Sequence, residues 1–407
     1  MNDRELESKA LRIGDFVEAH GLQEHGMVPM FVRARDYALP TAEDYEGAYT
    51  HRHMHGKTEA EVGLPPMHVW RAWEDTASNT AYYLGALSYQ YRCTGDSHVA
   101  QRCRRTLAAM KYIVDVGAEA IEPGFLCKPY GGRASNQTSS DQLCCAAAGL
   151  DAHRRIAGPE GAALIGKIFK SFADYLIRRD YYHEATYFGA KVKPKYRLRS
   201  GERRPGRDWE PGSLDWSIGL VWAAVMHHAW LDSGESLYLK EIEHIYAGCG
   251  LDRTPDAGGG RSSRHLYLPA LMMELDPRHH DVWRSMMLNT FQNARESIEP
   301  DGTQRLPGFG GQGDPSQGFL GPHRTGRSAQ WSLGMVTAQR WFPDEAFTET
   351  ARRILEGLDM ATFRFVMPET ESGALPPQWV VEGEMIDFDS LAPWLFAYWL
   401  GRYRGYW

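Results

Sequence analysis

The chain has 407 residues, 43% of them hydrophobic, enough to bury one large core. Its formal charge of −7, from 45 basic and 52 acidic side chains, gives nucleic acid no general attraction. No run of about 18 apolar residues occurs, so no membrane span is expected.

The opening stretch Met1-Asn2-Asp3-Arg4-Glu5-Leu6-Glu7 is charged and lacks the apolar core of a signal segment. The six cysteines, Cys93, Cys103, Cys127, Cys144, Cys145 and Cys249, form no C-x-x-C pair, and Cys144-Cys145 lies in an apolar helical run. Buried free thiols in a cytoplasmic, reducing compartment are the expectation. Residues 1–60 fit the later pattern least and are expected to form an N-terminal cap with a closing helix. In this segment His51, His53 and His55 alternate, a spacing that reads as a loop rather than a metal site. No metal and no cofactor is called for.

From residue 70 onward, helical segments rich in small and aromatic residues recur, each with a polar head. The first is Trp73-Glu74-Asp75-Thr76-Ala77-Ser78-Asn79, running into Ala81-Tyr82-Tyr83-Leu84. The second is Thr138-Ser139-Ser140-Asp141-Gln142, running into Leu143-Cys144-Cys145-Ala146. The third begins at Leu214-Asp215-Trp216-Ser217, the fourth follows Arg264-His265, the fifth follows Arg327-Ser328, and the last follows Asp387-Phe388-Asp389. Between them lie amphipathic helices with a charged face, at 98–114, 163–178, 281–298 and 344–358. Six apolar inner helices, each paired with an amphipathic outer one, describe an all-α (α/α)6 toroid over residues 61–407 as a single domain. The glycine-rich stretches 256–260 and 308–313 read as rim loops.

In such a toroid the N-termini of the inner helices converge on a central pocket, where free N–H groups favour ionised carboxylates. Asp75 and Asp141 then face one another, and paired carboxylates are what glycoside chemistry uses. Aspartate at a helix start is also an ordinary N-cap, so each has a purely structural reading beside the catalytic one. Glu74, adjacent to Asp75, is an alternative working group, and Asp215 a third candidate.

The segment Arg71-Ala72-Trp73-Glu74-Asp75, with Tyr89-Gln90-Tyr91-Arg92-Cys93-Thr94-Gly95-Asp96 after it, resembles the six-hairpin glycosidases. It is most similar to the unsaturated glucuronyl and rhamnogalacturonyl hydrolases. Gly124-Phe125-Leu126 and Ser139-Ser140-Asp141-Gln142 extend the resemblance over residues 70–155. It implies an aspartate opening one inner helix, a Thr-Gly-Asp turn closing it, and a second aspartate, Asp141, heading the next. Those hydrolases carry a histidine-aspartate pair where this chain has Glu74-Asp75, and their third-hairpin segment is not recovered here.

The rim positions Arg71, Lys128, Arg133, Arg207, Arg261, Arg264, Arg324 and Arg327 come with the aromatics Trp70, Trp73, Tyr130, Trp209, Trp216, Phe309, Phe319 and Trp379. Aromatic faces stack on sugar rings, and arginine clamps a uronate carboxylate through two N–H bonds. The same arginines also suit structural pairing with Glu210, Asp256 and Asp314. His265 and His323 stand near inner-helix starts as further substrate contacts. The expected function is therefore hydrolysis of an anionic, uronate-containing oligosaccharide, with Asp141 as general acid/base and Asp75 or Glu74 as its partner. The alternatives are a polysaccharide lyase using His265, His323, Tyr130 or Tyr267, and a toroid that binds glycans without chemistry. An epimerase would need a pair of inner-helix histidines, and the sequence offers no convincing one.

Overall fold

The computed structural model describes residues 1–46, 65–181, 186–187, 190–191, 216–249, 263–306, 323–364, 367–368, 381 and 383–407. The chain opens on α1 (Asp3–Phe16), where Asn2 and Glu5 satisfy each other's N–H groups in a reciprocal cap. Then come α2 (Met67–Trp73), α3 (Thr76–Thr94), α4 (Ser97–Ala120), α5 (Ser140–Arg154) and α6 (Pro159–Arg178). The second half holds α7 (Trp216–Ser233), α8 (Ser236–Cys249), α9 (Arg264–Leu275) and α10 (His280–Glu296), then α11 (Ser328–Ala338), α12 (Phe347–Gly357) and α13 (Phe388–Tyr403).

Six of these form a closed inner ring. In order around it, α3 packs on α5, α5 on α7, α7 on α9, α9 on α11, α11 on α13, and α13 returns to α3. Outside them stand α4, α6, α8, α10 and α12, while α1 packs behind α13. This is the (α/α)6 toroid expected from the periodic heads. The inner helices are buried on every side, which explains their small and apolar composition; in α5 every residue from Gln142 to His153 is buried. The outer helices keep one apolar stripe, as in α6, where Ile165, Ile168, Phe169, Phe172 and Leu176 face inward.

Local chemistry sets the hairpin turns. At Thr94-Gly95-Asp96 the glycine takes φ +66°, and its N–H bonds the Tyr91 carbonyl at 2.8 Å to end α3. Asp96 Oδ1 then accepts the His98 N–H at 2.8 Å to start α4.

The strands are short: β1 (Phe31–Arg33), β2 (Thr186–Tyr187), β3 (Ala190–Lys191), β4 (Gln304–Leu306), β5 (His323–Thr325), β6 (Met367–Pro368) and β7 (Met385–Asp387). All pairings are antiparallel. β1 pairs with β7 with Phe31 opposite Asp387, β2 with β3, and β5 lies between β4 and β6. The β1–β7 pair ties the N-terminal segment to the head of α13.

Among the described cysteines all are free; Cys103, Cys127, Cys144 and Cys145 are buried, whereas Cys93, in the last turn of α3, is exposed. Among the described residues no helix is long and apolar enough to cross a membrane. The His51/His53/His55 loop and the glycine-rich stretches 256–260 and 308–313 lie outside the described residues.

The inner helices approach closely where glycine allows it. A Cβ on Gly149 of α5 would stand 1.9 Å from the Ala81 carbonyl oxygen of α3, and a backbone atom cannot move aside as a side-chain tip can. Gly149→Ala is expected to destabilise the fold by roughly 3 kcal/mol, at the upper end of overpacking costs. Urea denaturation of the variant against the parent measures this.

Candidate active site

A cavity of about 300 Å³ opens where the inner helices begin, lined by Asp75, Ser78, Asn79, Tyr82, Asp141, Cys144, Cys145, Ser263, Arg264, Arg327, Gln330 and Asp389. The residues come from the heads of α3, α5, α9, α11 and α13, as helix N-termini converging on an axis require. Asp75, Asp141, Arg264 and Arg327, all singled out from the sequence, line it together.

The head aspartates divide into two kinds. Asp96 and Asp387 cap their helices, each accepting an N–H two residues ahead. Asp75 is the N-cap residue of α3 by position, yet its side chain caps nothing. The reason is Gln142 of α5. Its Oε1 accepts the Ser78 N–H at 3.0 Å, a first-turn donor that an N-cap would otherwise satisfy. Its Nε2 donates to Asp75 Oδ1 at 2.6 Å. Gln142 thus takes over the capping bond and leaves the Asp75 carboxylate at the cavity. Asp141, in the first turn of α5, pairs with the Arg264 guanidinium, whose Nη1 also reaches Ser140 Oγ at 3.4 Å. The Asp141 side chain is 62% exposed.

A third cavity carboxyl was not selected from the sequence. Asp389, in the first turn of α13, is only 5% exposed and lines the cavity together with Asp75. Burial pushes its pKa well above the ordinary carboxylate value, Asp75 and Asp387 push the same way, and Arg327 opposes them. Arg327 Nη2 lies 3.5 Å from Asp389 Oδ2, and Nε lies 4.0 Å from Asp387 Oδ2. Asp387 accepts the Asp389 N–H at 2.8 Å and the Ser390 hydroxyl at 3.1 Å; burial raises its pKa to about 6. The Asp389 carbonyl is open to a side chain because Pro393, four residues on, has no N–H to give it. Gln330 Nε2 of α11 donates to it at 3.1 Å. The sequence marks Asp387-Phe388-Asp389 as a helix head. What it leaves out is that the last helix of a closed ring neighbours the first.

The remaining expected residues sit elsewhere. Glu74 accepts from Lys128 Nζ at 3.0 Å and lies 3.6 Å from Arg71 Nη1, so its carboxylate is held by two cations. Arg71 also stacks over Phe31 and Trp70, at 5.1 and 5.5 Å from the ring centres. Trp73 is buried, Tyr130 is buried in the turn Tyr130–Gly132, His265 is buried in the first turn of α9, and Arg133 is exposed. His323 is in β5 opposite Leu306, and Trp216 is the first residue of α7; their side chains, like the whole of Trp209 and Asp215, lie outside the described residues. Cys144 and Cys145 reach the cavity wall, but burial raises the Cys144 thiol to about 12 and Cys145 well above its usual value, so neither is a ready nucleophile. Among the described residues no three carboxylates, imidazoles or thiols are grouped as metal ligands.

No protein-family model matches the chain, and no curated protein sequence matches it. Solved structures do. An unsaturated glucuronyl hydrolase specific for heparin is 13% identical, with a TM-score of 0.53 over 100% of this chain and 98% of that one. A sugar epimerase from a ruminal bacterium is 12% identical, with a TM-score of 0.53 over 98% of each chain. A D-mannose isomerase is 10% identical, with a TM-score of 0.51 over 97% of each. What this chain shares with them is the six-hairpin toroid, the fold that its motifs resemble.

The double role of Gln142 has a measurable consequence. Gln142→Leu keeps the volume but removes both bonds, leaving the Ser78 N–H and Asp75 Oδ1 without them in a buried setting. A loss of about 1–3 kcal/mol is expected in urea denaturation, the penalty for unsatisfied buried polar groups.

Proposed function

We propose that the protein is a glycoside hydrolase acting on uronic-acid-containing oligosaccharides by carboxylate general acid/base catalysis. One observation carries the reading: Asp75 and Asp141 head adjacent inner helices, line one cavity, and are both free of capping duty. Carboxyl groups at a shared pocket supply the proton donor and the base that glycosidic cleavage needs. The cavity, about 300 Å³, is at the lower end of small-molecule sites and suits a single sugar ring. Arg264 and Arg327 on its wall support an anionic guest, since a guanidinium holds carboxylates in planar pairs. The sugar-processing toroids of the same fold, hydrolase, epimerase and isomerase, agree with a sugar substrate.

Asp75 is the better partner for Asp141 than Glu74, whose carboxylate is engaged by Lys128 and Arg71. The lyase alternative needs an imidazole or phenolate base in the cavity. Tyr82 is the tyrosine on the described wall, and burial raises its hydroxyl well above the usual phenol, which keeps it protonated.

The test is a screen of saturated and unsaturated uronate oligosaccharides for reducing-end release and for change in unsaturated-uronate absorbance. Hydrolysis of an unsaturated end lowers that absorbance, and a lyase raises it. Isomerisation or epimerisation changes the sugar without breaking a linkage. Asp75→Asn and Asp141→Asn are each expected to lower kcat/KM by about 10²–10⁴-fold, the usual range for general acid/base groups. Glu74→Gln is expected to change it far less.

A further inference from the structure

Two consecutive residues at the head of α5 serve the two carboxylates of the cavity. Asp141 carries one itself, and Gln142 reaches across to the other, Asp75 on α3. Gln142 is fully buried, and both ends of its amide are bonded to α3. The Ser78 N–H is a backbone donor that cannot turn away, so the amide end meeting it at 3.0 Å is the oxygen. That leaves Nε2 toward Asp75, where it donates to Oδ1 at 2.6 Å. A flipped amide would set donor against donor at Ser78. The base of this arm is fixed as well. Two turns along α5, Gly149 lets the Ala81 carbonyl of α3 approach so closely that no Cβ would fit between them.

We propose that Gln142 is a positioning residue for the reaction, an amide arm that fixes how the Asp75 carboxylate faces the cavity. The proposal rests on the hydrolase reading and adds to it a residue that acts through another. Gln142 is not one of the cavity-lining residues, and its route to the chemistry is the bond to Asp75. With Oδ1 tied to the arm, Oδ2 is the oxygen left for a guest. The arm is needed because the bond to a helix N–H that orients Asp96 and Asp387 is missing at Asp75. Asp141 and Gln142 are joined by one peptide unit, so both carboxylates are placed by the same short stretch of backbone. Glycosidic cleavage depends on the spacing of its two carboxyl groups. A misplacement of about 1 Å costs on the order of a hundredfold in rate.

Two variants separate positioning from capping. Gln142→Leu loses both bonds. Gln142→Glu keeps an oxygen for the Ser78 N–H but, once ionised, sets oxygen against oxygen at Asp75. On a glycan that the parent hydrolyses, folded Gln142→Leu is expected to lose about 10–100-fold in kcat, with KM within about threefold of the parent. Gln142→Glu should lose kcat as well, although it retains the capping bond. A proton on the introduced carboxyl restores a donor toward Asp75, so the kcat of this variant relative to the parent should rise as pH falls. The last readout needs no turnover. In a crystal structure of Gln142→Leu the Asp75 carboxylate is expected to leave its parent position or to occupy more than one.

A kcat for Gln142→Leu within about threefold of the parent, or a loss confined to KM, would overturn the proposal. So would an Asp75 carboxylate that keeps its place in that variant, or a Gln142→Glu kcat that follows the parent at every pH. If Asp75 moves and the parent turns over no glycan, the hydrolase reading fails while the orienting arm stands. If the parent hydrolyses a glycan and Asp75 keeps its place, the arm fails while the hydrolase reading stands.

Discussion

The structure depends on the seam where the ring closes, α13 against α3. Every other inner-helix contact joins elements that follow one another in the repeat, but this one joins the last to the first. A strap from the N-terminal segment holds it. The Val28 N–H bonds Thr80 Oγ1 at 3.0 Å, and Pro29 O accepts Asn79 Nδ2 at 3.0 Å, both on α3. The next residues turn to the other side. Met30 O accepts the Phe388 N–H at 2.9 Å, and Phe31 pairs with Asp387. The same few residues are thus bonded to the head of α3 and to the head of α13, the two places that carry Asp75 and Asp389. The strap therefore holds the two helix heads side by side through its backbone.

Holding carboxyls together in a nearly enclosed place opposes folding, because burial and like charge both disfavour the ionised form. Three devices offset this. Arg327 brings a cation to Asp387 and Asp389. Asp387 spends its oxygens on the Asp389 N–H and the Ser390 hydroxyl. Gln142 supplies an N–H to Asp75 while satisfying the first turn of α3. Pro393 adds a fourth, structural one: it frees the Asp389 carbonyl, and Gln330 ties that carbonyl to α11. Such a cluster is what a functional site retains at the expense of stability.

The toroid was legible because the repeat is written in local terms. A polar head, a small and apolar run, and turns such as Thr94-Gly95-Asp96 are each visible within a few residues. The convergence of the heads followed from the fold, so Asp75, Asp141, Arg264 and Arg327 were found at one cavity. The rest was hidden by geometry that local sequence does not carry. Glu74 and Asp75 are adjacent and of one charge, but a helix start turns one to Lys128 and Arg71 and the other to the cavity. Whether Asp75 caps or is left open depends on Gln142, which is 67 residues away. Asp389 reads as a head and not as a neighbour of Asp75 at the cavity, because ring closure joins the last inner helix to the first. The rim arginines look alike in sequence, yet Arg133 is exposed, Arg71 stacks on Phe31 and Trp70, and Arg264 holds Asp141.

Two arginines make the carboxyls of one cavity unequal. Arg264 meets Asp141 in an ion pair on the side of the cavity where water has access. Arg327 is shared by Asp387 and Asp389 in a nearly closed setting with Asp75 at hand, so one cation serves three carboxyls. One of the three is then most easily relieved by keeping a proton, and burial selects Asp389. Placing carboxyls of one cavity in unlike environments is how a site comes to hold an acid and a base at the same pH. The asymmetry comes from placement alone: an arginine at the start of α9 faces one aspartate, and an arginine at the start of α11 faces several. The chemistry of the cavity is set by how many carboxyls each helix head presents to its neighbour's cation.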